Sequence, residues 1–299
     1  MKILITGGTG LVGTKLVKEL RKRGHTVNVL VRKKSNKPNE FYWNYNRRQL
    51  DSEALEGVES IIHLAGASIG KKWTYEYKQE LISSRVDSAN FLYDHCTLAD
   101  IKLKSFISAS GVNYYGTFIS DDILNEEAGI VKHDFLSDLC LKWESAALHF
   151  GNIADRTVIL RTAPVLSEKG GTMEKLNMIT NLNLSSAIGK GSQWFNWIHL
   201  DDLVDMYVQA VENPKFEGVF NAVADEIPTN KEFMKSLAKS RSKLFLPVNV
   251  PSFLLRMVFG EMSVVILEGT RVRNKKIKSL GFDFKYPELK QALKSFVKA

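Results

Sequence analysis

The sequence predicts an α/β fold, a doubly wound parallel sheet with a smaller C-terminal lobe on its substrate side. Three observations carry that expectation. Short β-branched runs alternate with amphipathic stretches through the first half of the 299 residues. Gly7, Gly10 and Gly13 stand between the first such run and the first helical pattern. After about residue 165 the alternation stops and a helix-rich tail with few obvious strands begins.

The elements follow in order. KILIT (2–6) is a short apolar run that reads as a buried strand, and GTKLVKELRKRG (13–24) has helical spacing and stops on Gly24. TVNVLV (26–31) is a second buried strand and EFYWNY (40–45) a short third. SIIHLAG (60–66), KSFISAS (104–110) and RTVILRT (156–162) are the fourth, fifth and sixth. EYKQELISSRVDSANFLYDHC (76–96) and FLSDLCLKWESAALHFGN (135–152) lie between them as amphipathic helices, enough to cover a parallel sheet on both faces. Beyond a Gly/Ser-containing loop come QWFNWIHLDDLVDMYVQAV (193–211), NKEFMKSLAKSRSK (230–243) and YPELKQALKSFVKA (286–299). The last two read as packing helices rather than partner or membrane elements. The expected division is a nucleotide-binding domain over 1–165 and a substrate-side lobe with a helical C-terminal domain over 166–299.

Composition narrows the function classes. With 44% hydrophobic residues, 25% charged and seven prolines, the chain has apolar surface for a real core. Its net charge of +8 comes from scattered residues apart from Arg32–Lys34, Lys71–Lys72 and RVRNKK at 271–276. None is interleaved with the aromatics a single-strand binder needs, so nucleic acid is not an expected partner. Cys96 and Cys140 match no metal-ligand spacing and no disulfide framework, which fits a reduced cytoplasmic setting without a metal. No signal peptide is evident and no apolar run is long enough to cross a bilayer, so no membrane partner is expected.

A strand, a glycine turn and a helix in that order bring backbone N–H groups and a helix N-terminus to a pyrophosphate. This is the Rossmann-type arrangement, and Gly7, Thr9, Gly10, Leu11, Val12 and Gly13 form its expected cradle. The end of the second strand selects the dinucleotide. An NAD site usually places Asp or Glu there; this chain has Arg32, Lys33 and Lys34. A guanidinium welcomes a 2′-phosphate, so NADP(H) is the expected cofactor with Arg32 as its contact. Lys33 and Lys34 are equally readable as solvated loop charges.

GGTGLVG (7–13), HLAGA (63–67), SASGVNYYG (108–116) and WIHLDDL (197–203) together resemble the extended short-chain dehydrogenase/reductase superfamily, whose looser glycine spacing this is. WTYEYKQELISSRV, FLSDLCLKWE, GSQWFNWIHLDDL and the tail GEMSVVILEGTRV…GFDFKYPEL resemble, more narrowly, its atypical "epimerase family" branch. That branch joins an NAD-dependent epimerase-like domain to a small C-terminal domain of unknown function. The resemblance implies a ligand at the carboxyl ends of the strands, with Leu64 and Ala65 lining its adenosine or ribose side. It puts Arg85 where extended relatives usually have asparagine, reaching the cofactor, with Glu80 one turn earlier orienting it. The alternatives are a small-residue strand end for the first pair and a helix-surface ion pair for the second.

Active members of the superfamily use Ser, Tyr and Lys in one site. Ser110 matches the serine, with Ser108 as second choice, but the Tyr-x-x-x-Lys positions fall on Leu136 and Cys140. A leucine cannot transfer a proton and a thiol offers no fixed positive charge. Tyr114 or Tyr115, His199 and Cys140 are the candidate replacements. Tyr115-Gly116 echoes a Tyr-Gly pair near the substrate of extended relatives. His199 titrates usefully near neutral pH, or else packs against Asp201 or Asp202. Arg161, at the end of the sixth strand, is placed to meet an anionic part of a ligand or the nicotinamide end. Trp194, Phe195 and Trp197 line a pocket or join the two lobes, and Trp73 and Trp143 carry the same two readings. The expected function is an NADP(H)-dependent oxidoreductase or nucleotide-sugar-epimerase-like enzyme on a small molecule, a nucleotide sugar or carbonyl compound. The alternative is a non-catalytic NADP(H)-binding sensor or scaffold.

Overall fold

The run KILIT sits where continuous apolarity requires, at the middle of a sheet buried on both faces. The computed structural model describes residues 1–168 and 170–297, so Lys298 and Ala299 of the expected last helix lie outside the described residues. The first half runs β1 (Lys2–Thr6), α1 (Leu11–Lys22), β2 (Thr26–Val31), β3 (Glu40–Asn44), β4 (Gln49–Leu50) and β5 (Ser60–His63). It continues through α2 (Tyr75–Ser83), α3 (Val86–Leu98), β6 (Ser105–Gly111), β7 (Ile119–Leu124), α4 (Phe135–Leu148) and β8 (Thr157–Thr162). Then come β9 (Val165–Leu166), α5 (Gly171–Asn181), β10 (Ile198–His199), α6 (Leu200–Glu212) and β11 (Gly218–Ala222). The tail holds α7 (Asn230–Ser240), α8 (Ser252–Phe259), α9 (Val264–Leu267), β12 (Gly269–Val272), α10 (Lys275–Ser279) and α11 (Leu289–Ser295).

Eight strands form one sheet in the order β11-β8-β6-β5-β1-β2-β3-β4, parallel throughout except where β4 returns antiparallel on β3. The chain winds outward from β1 through β2 and β3, then crosses back to β5 on the other side of β1. The strand order therefore reverses between β1 and β5, where such sheets open a crevice at their carboxyl ends. One face is covered by α1 and α6, with Leu16, Val17 and Leu20 packed against Leu203, Val204 and Tyr207. The other is covered by α3 and α4, through Phe91, Leu92, Cys96, Ala147 and Phe150.

The structure departs from the sequence reading at three places. The expected division at 165 is not where the layers divide, because α6 and the edge strand β11 complete the first sheet and its core. The stretch 76–96 is two helices rather than one. The break at Ser84 and Arg85 is set by tertiary bonds: the Ser84 hydroxyl accepts from the Ala67 N–H, and the Arg85 carbonyl accepts from His63 Nε2. The tail also contributes a strand, β12, which pairs with β7 and ties the C-terminal residues back to the first half. Leu166, Trp197, Phe233, Leu237, Leu289 and Leu293 form the lobe's own core. Among the described residues no helix is long and apolar enough to cross a membrane.

A buried hydroxyl holds the crevice open. Thr6, last in β1, is fully buried beside His63 across the strand pair. Its Oγ1 accepts from the N–H groups of Leu64 and Ala65 at 3.1 and 3.0 Å, and its proton goes to His63 Nδ1 at 2.9 Å. His63 is then left to donate from Nε2 to the Arg85 carbonyl at 3.2 Å. Burial lowers its pKa to about 4, which keeps the ring neutral in this tautomer. Thr6→Val should orphan the Ala65 N–H and His63 Nδ1 and cost about 2–3 kcal/mol in urea unfolding, with Thr6→Ser restoring most of the loss. A Val variant as stable as the parent would contradict this account.

Candidate active site

The cradle turns on Gly7, Gly8 and Gly13, which have no room for a side chain. Gly7 has φ +68°, and a Cβ there would stand 2.8 Å from the Leu64 carbonyl. A Cβ on Gly8 would come within 2.6 Å of Val29 Cγ1, and one on Gly13 would overlap the Gly7 carbonyl oxygen. The turn is closed by Gly10 N–H donating to the Gly7 carbonyl at 3.0 Å. Gly10 caps α1 without any side-chain hydrogen bond, and the first turn holds no acidic residue. Thr9 and Gly10 are exposed, Leu11 and Val12 half-buried, so the α1 N-terminus faces the crevice with its positive end free. Leu11 also meets the start of α5, where a Cβ on Gly171 would lie 3.2 Å from Leu11 Cδ2.

Arg32, Lys33 and Lys34 are exposed at the end of β2, and none is in an ion pair among the described residues. Arg32 lines a cavity of about 210 Å³ with Trp43, Asn44, Tyr45, Glu80 and Ser83. Glu80 therefore shares a wall with Arg32; the bonds of Arg85 go elsewhere. A wider cleft of about 450 Å³ passes Gly8 and Thr9 and is bordered by Lys18, Arg21 and Lys37. These three cations carried no signal in the sequence, because the helix spacing of Lys18 and Arg21 is that of any solvated face.

Arg85 is 6% exposed and turned under the loop after β5. Its Nη1 donates to the Leu81 carbonyl at 3.0 Å and its Nη2 to the Ala67 carbonyl at 2.9 Å. The guanidinium lies 5.0 Å from the Trp143 ring, and a Cβ on Gly66 would approach its Cζ to 2.9 Å. Among the described residues no carboxylate pairs with it and Nε has no partner, and burial lowers its pKa. A buried cation without a counter-charge is costly unless something else completes it.

Ser110, Tyr115 and Arg161 form a closed network with Glu144 and Asn221. Ser110, near the end of β6, donates to Glu144 Oε1 at 2.7 Å. Arg161 clamps the same carboxylate through Nε to Oε1 at 2.8 Å and Nη2 to Oε2 at 2.9 Å. Its Nη1 donates to the Tyr115 hydroxyl at 3.1 Å, and that hydroxyl donates to Asn221 Oδ1 at 2.8 Å. The guanidinium lies 3.3 Å from the centre of the Tyr114 ring. Burial works against the Arg161 charge, but Glu144 more than offsets it and its pKa is pushed up. Glu144 was visible in the sequence only as a neighbour of Trp143; nothing in the local pattern marks a buried carboxylate.

Several expected roles are corrected by this geometry. Tyr115 is fully buried with its hydroxyl committed twice, and burial raises its pKa, so it cannot reach a substrate as a proton donor. Arg161 has its charge spent on Glu144 and is not free to meet a ligand anion. His199 caps α6 by accepting the Asp201 N–H at Nδ1 (3.0 Å), reaches Ser295 Oγ with Nε2 at 3.2 Å, and packs 3.8 Å from the Tyr286 ring. Burial lowers its pKa to about 4, so it is a neutral packed histidine. Cys140 lies under Gly111 with its thiol pushed up to about 12 by burial, and Leu136 packs in a cluster with Trp73, Leu139 and Met262. Ser108 donates to the Ala109 carbonyl. Trp197 is wholly buried in the lobe core, Phe195 packs on Phe233 at 4.1 Å, and Arg271 covers Trp194 at 4.4 Å, so this aromatic set serves the lobe's packing. Among the described residues no cluster of His, Cys, Asp and Glu could hold a metal ion.

Comparisons with known proteins agree with this architecture. The chain matches the model of the NAD dependent epimerase/dehydratase family over residues 3–222 and that of a domain of unknown function, DUF1731, over 250–296. An epimerase family protein of Staphylococcus aureus is 34% identical over 299 residues, spanning 99% of this chain and 98% of its own. Among solved structures, the human epimerase family protein SDR39U1 (isoform 2) with NADPH is similar at TM-score 0.90 and 31% identity, over 99% of both chains. A nucleoside-diphosphate sugar epimerase from Corynebacterium glutamicum is similar at TM-score 0.79 and 29% identity, over 98% of this chain and 57% of that one.

Breaking the buried pair should be expensive. Glu144→Gln leaves Arg161 without a counter-charge and should cost about 3–5 kcal/mol in urea unfolding. The double change Glu144→Leu with Arg161→Met should cost less than the sum of the single changes Glu144→Leu and Arg161→Met. Strictly additive losses in that cycle would show that the two groups do not act as a pair.

Proposed function

The chain belongs to the NAD dependent epimerase/dehydratase family, and on that premise we propose that it binds NADP(H). We further propose that it acts as an oxidoreductase or epimerase-like enzyme on a small molecule, a carbonyl compound or a nucleotide sugar. One observation carries the reading: the crevice between β1 and β5 is walled by glycines that leave no space for a Cβ, beneath an uncapped helix N-terminus. Those features fit a diphosphate. The backbone of Gly7, Thr9, Gly10, Leu11, Val12 and Gly13 would hold it, with Leu64 and Ala65 on the adenosine or ribose side. Arg32 would take the 2′-phosphate, and Glu80 in the same cavity would accept from the adenosine. Arg85, with its unpartnered Nε, would turn its charge toward the nicotinamide half.

When bound, the nicotinamide supplies hydride transfer. The protein's own part is to orient and to handle a proton. Ser110 gives its only proton to Glu144, so it can meet a ligand only as an acceptor. A substrate hydroxyl donating to Ser110 Oγ would be in line for relay to Glu144. This is the reverse of a serine that donates to a carbonyl, and it favours an alcohol as the group first bound. Two buried, unpaired cysteines fit a reducing cytoplasmic setting.

A second reading, a non-catalytic NADP(H) sensor or scaffold, is favoured by Leu136 and Cys140 at the usual proton-transfer positions and by the burial of Tyr115. Turnover separates the two: a panel of carbonyls, alcohols and nucleotide sugars that leaves bound NADP(H) untouched would favour the sensor. For the cofactor itself, Arg32→Glu should weaken NADPH binding by about tenfold to a hundredfold and NADH binding much less, by calorimetric titration. Equal losses for the two would remove Arg32 from the site.

A further inference from the structure

The frame that aims Arg85 is assembled from separate elements. The Leu81 carbonyl accepts from its Nη1 at 3.0 Å, the Ala67 carbonyl accepts from its Nη2 at 2.9 Å, and the Trp143 ring faces the guanidinium at 5.0 Å. Those contacts come from α2, from the loop after β5 and from α4. Each of these elements also sends apolar side chains into one buried cluster: Leu81 from α2, Trp73 from the loop, Leu136 and Leu139 from α4. The remaining buried member among the described residues is Met262, 4% exposed, from the turn between α8 and α9. Met262 belongs to the segment matched by DUF1731, so the C-terminal unit supplies the residue that shares a cluster with all the elements framing Arg85.

The attachment is made of several contacts. Phe259, Val265 and Ile266 pack against the same cluster from the C-terminal side, and Ala67 and Ile69 do so from the loop. Lys78 on α2 donates to both carboxylate oxygens of Glu261 at 2.7 and 2.6 Å, and the Ile266 carbonyl accepts from Gln193 Nε2 at 3.2 Å. The ion pair is exposed and contributes little alone, so the buried apolar contacts carry most of the hold. Trp73 donates from Nε1 to the Ile69 carbonyl at 3.0 Å, which ties the course of the loop to the place where the indole is packed. Close-packed neighbours move when a buried side chain is removed, because they shift into the space it leaves.

We propose that Met262 is a positioning residue for Arg85, and that the DUF1731 segment serves as the backing of the nicotinamide half of the dinucleotide site. This rests on the reading that NADP(H) is the ligand and that Arg85 turns toward that half. A cation held by a carboxylate has its direction fixed by one partner. Arg85 is instead held by backbone carbonyls of two different elements, so its aim follows how α2, the loop after β5 and α4 sit together. Met262 stands in the cluster where those elements meet, and its unbranched thioether suits an irregular junction. The adenosine end is independent of this device, since neither Arg32 nor the glycine turn takes part in the cluster.

Calorimetric titration of the full chain with two ligands tests the proposal: NADPH, and adenosine 2′,5′-bisphosphate, which carries the adenosine end alone. Met262→Ala should weaken NADPH binding by about threefold to thirtyfold and leave the bisphosphate affinity at the parent's value. Met262→Leu, which nearly conserves volume, should restore NADPH binding. Met262→Val, which leaves a smaller cavity, takes the place of the alanine variant if that one does not fold, with the same split between the two ligands expected. A folded variant with a lowered urea midpoint and unchanged NADPH affinity would overturn the proposal, because Met262 would then serve packing alone. Equal losses for the two ligands would overturn it as well, since the whole site would have loosened. A parent chain that takes up no NADPH would remove the NADP(H) reading itself and this inference with it.

Discussion

The Thr6 hydroxyl is the constraint on which the candidate site depends. It fixes the two N–H groups that follow β5 and, by giving its proton to His63, sets the tautomer that reaches the Arg85 carbonyl. Arg85 and Ser84 then hold the same loop from its far end, at Ala67. The loop from Leu64 to Ala67 is thus pinned at both ends, so its backbone can lie against Gly7 with no side chain between them. A crevice made of backbone does not change shape with side-chain rotamers, which suits the recognition of a group as invariant as a diphosphate. The chain's membership of the epimerase/dehydratase family and the architecture of its sheet meet at this point.

Around the crevice, positive charge is arranged unusually. Cys140 is a buried thiol, while Arg85 brings a cation into its neighbourhood from the break between α2 and α3. Arg161 supplies a second buried cation, fully neutralised by Glu144. The two arginines therefore have different tasks: Arg161 rigidifies the ends of β6 and β8, whereas Arg85 keeps an unsatisfied Nε. The buried pair also decides which way the Ser110 hydroxyl points, which makes a structural ion pair the determinant of the site's hydrogen-bonding polarity.

Much of this was legible in the sequence, and the reasons differ by element. The first strand at 2–6, the glycine turn and the strands around 60, 105 and 157 were readable because local pattern and tertiary placement agree. The edge strand β11 was not, since GVFNA is short and follows a helix in a part of the chain that otherwise reads as helical. Leu64, Ala65 and Arg85 could be picked out only by resemblance to a family, because nothing in HLAGA or ISSRV by itself announces a loop clamped against a glycine. Tyr115 and His199 show the opposite error. Each has the right chemistry and a suggestive setting, but burial and hydrogen bonding, which a sequence does not display, commit both to structural work.

Calorimetric titration of the unmodified chain with NADPH bears most directly on the claim that the pinned loop and the glycine turn form a dinucleotide seat. The account predicts saturable binding at one site, weakened for both NADPH and NADH when Thr6 is replaced by valine in a chain that is still folded. Absence of saturable uptake up to millimolar ligand, or binding indifferent to the loss of the Thr6 hydroxyl, would contradict it.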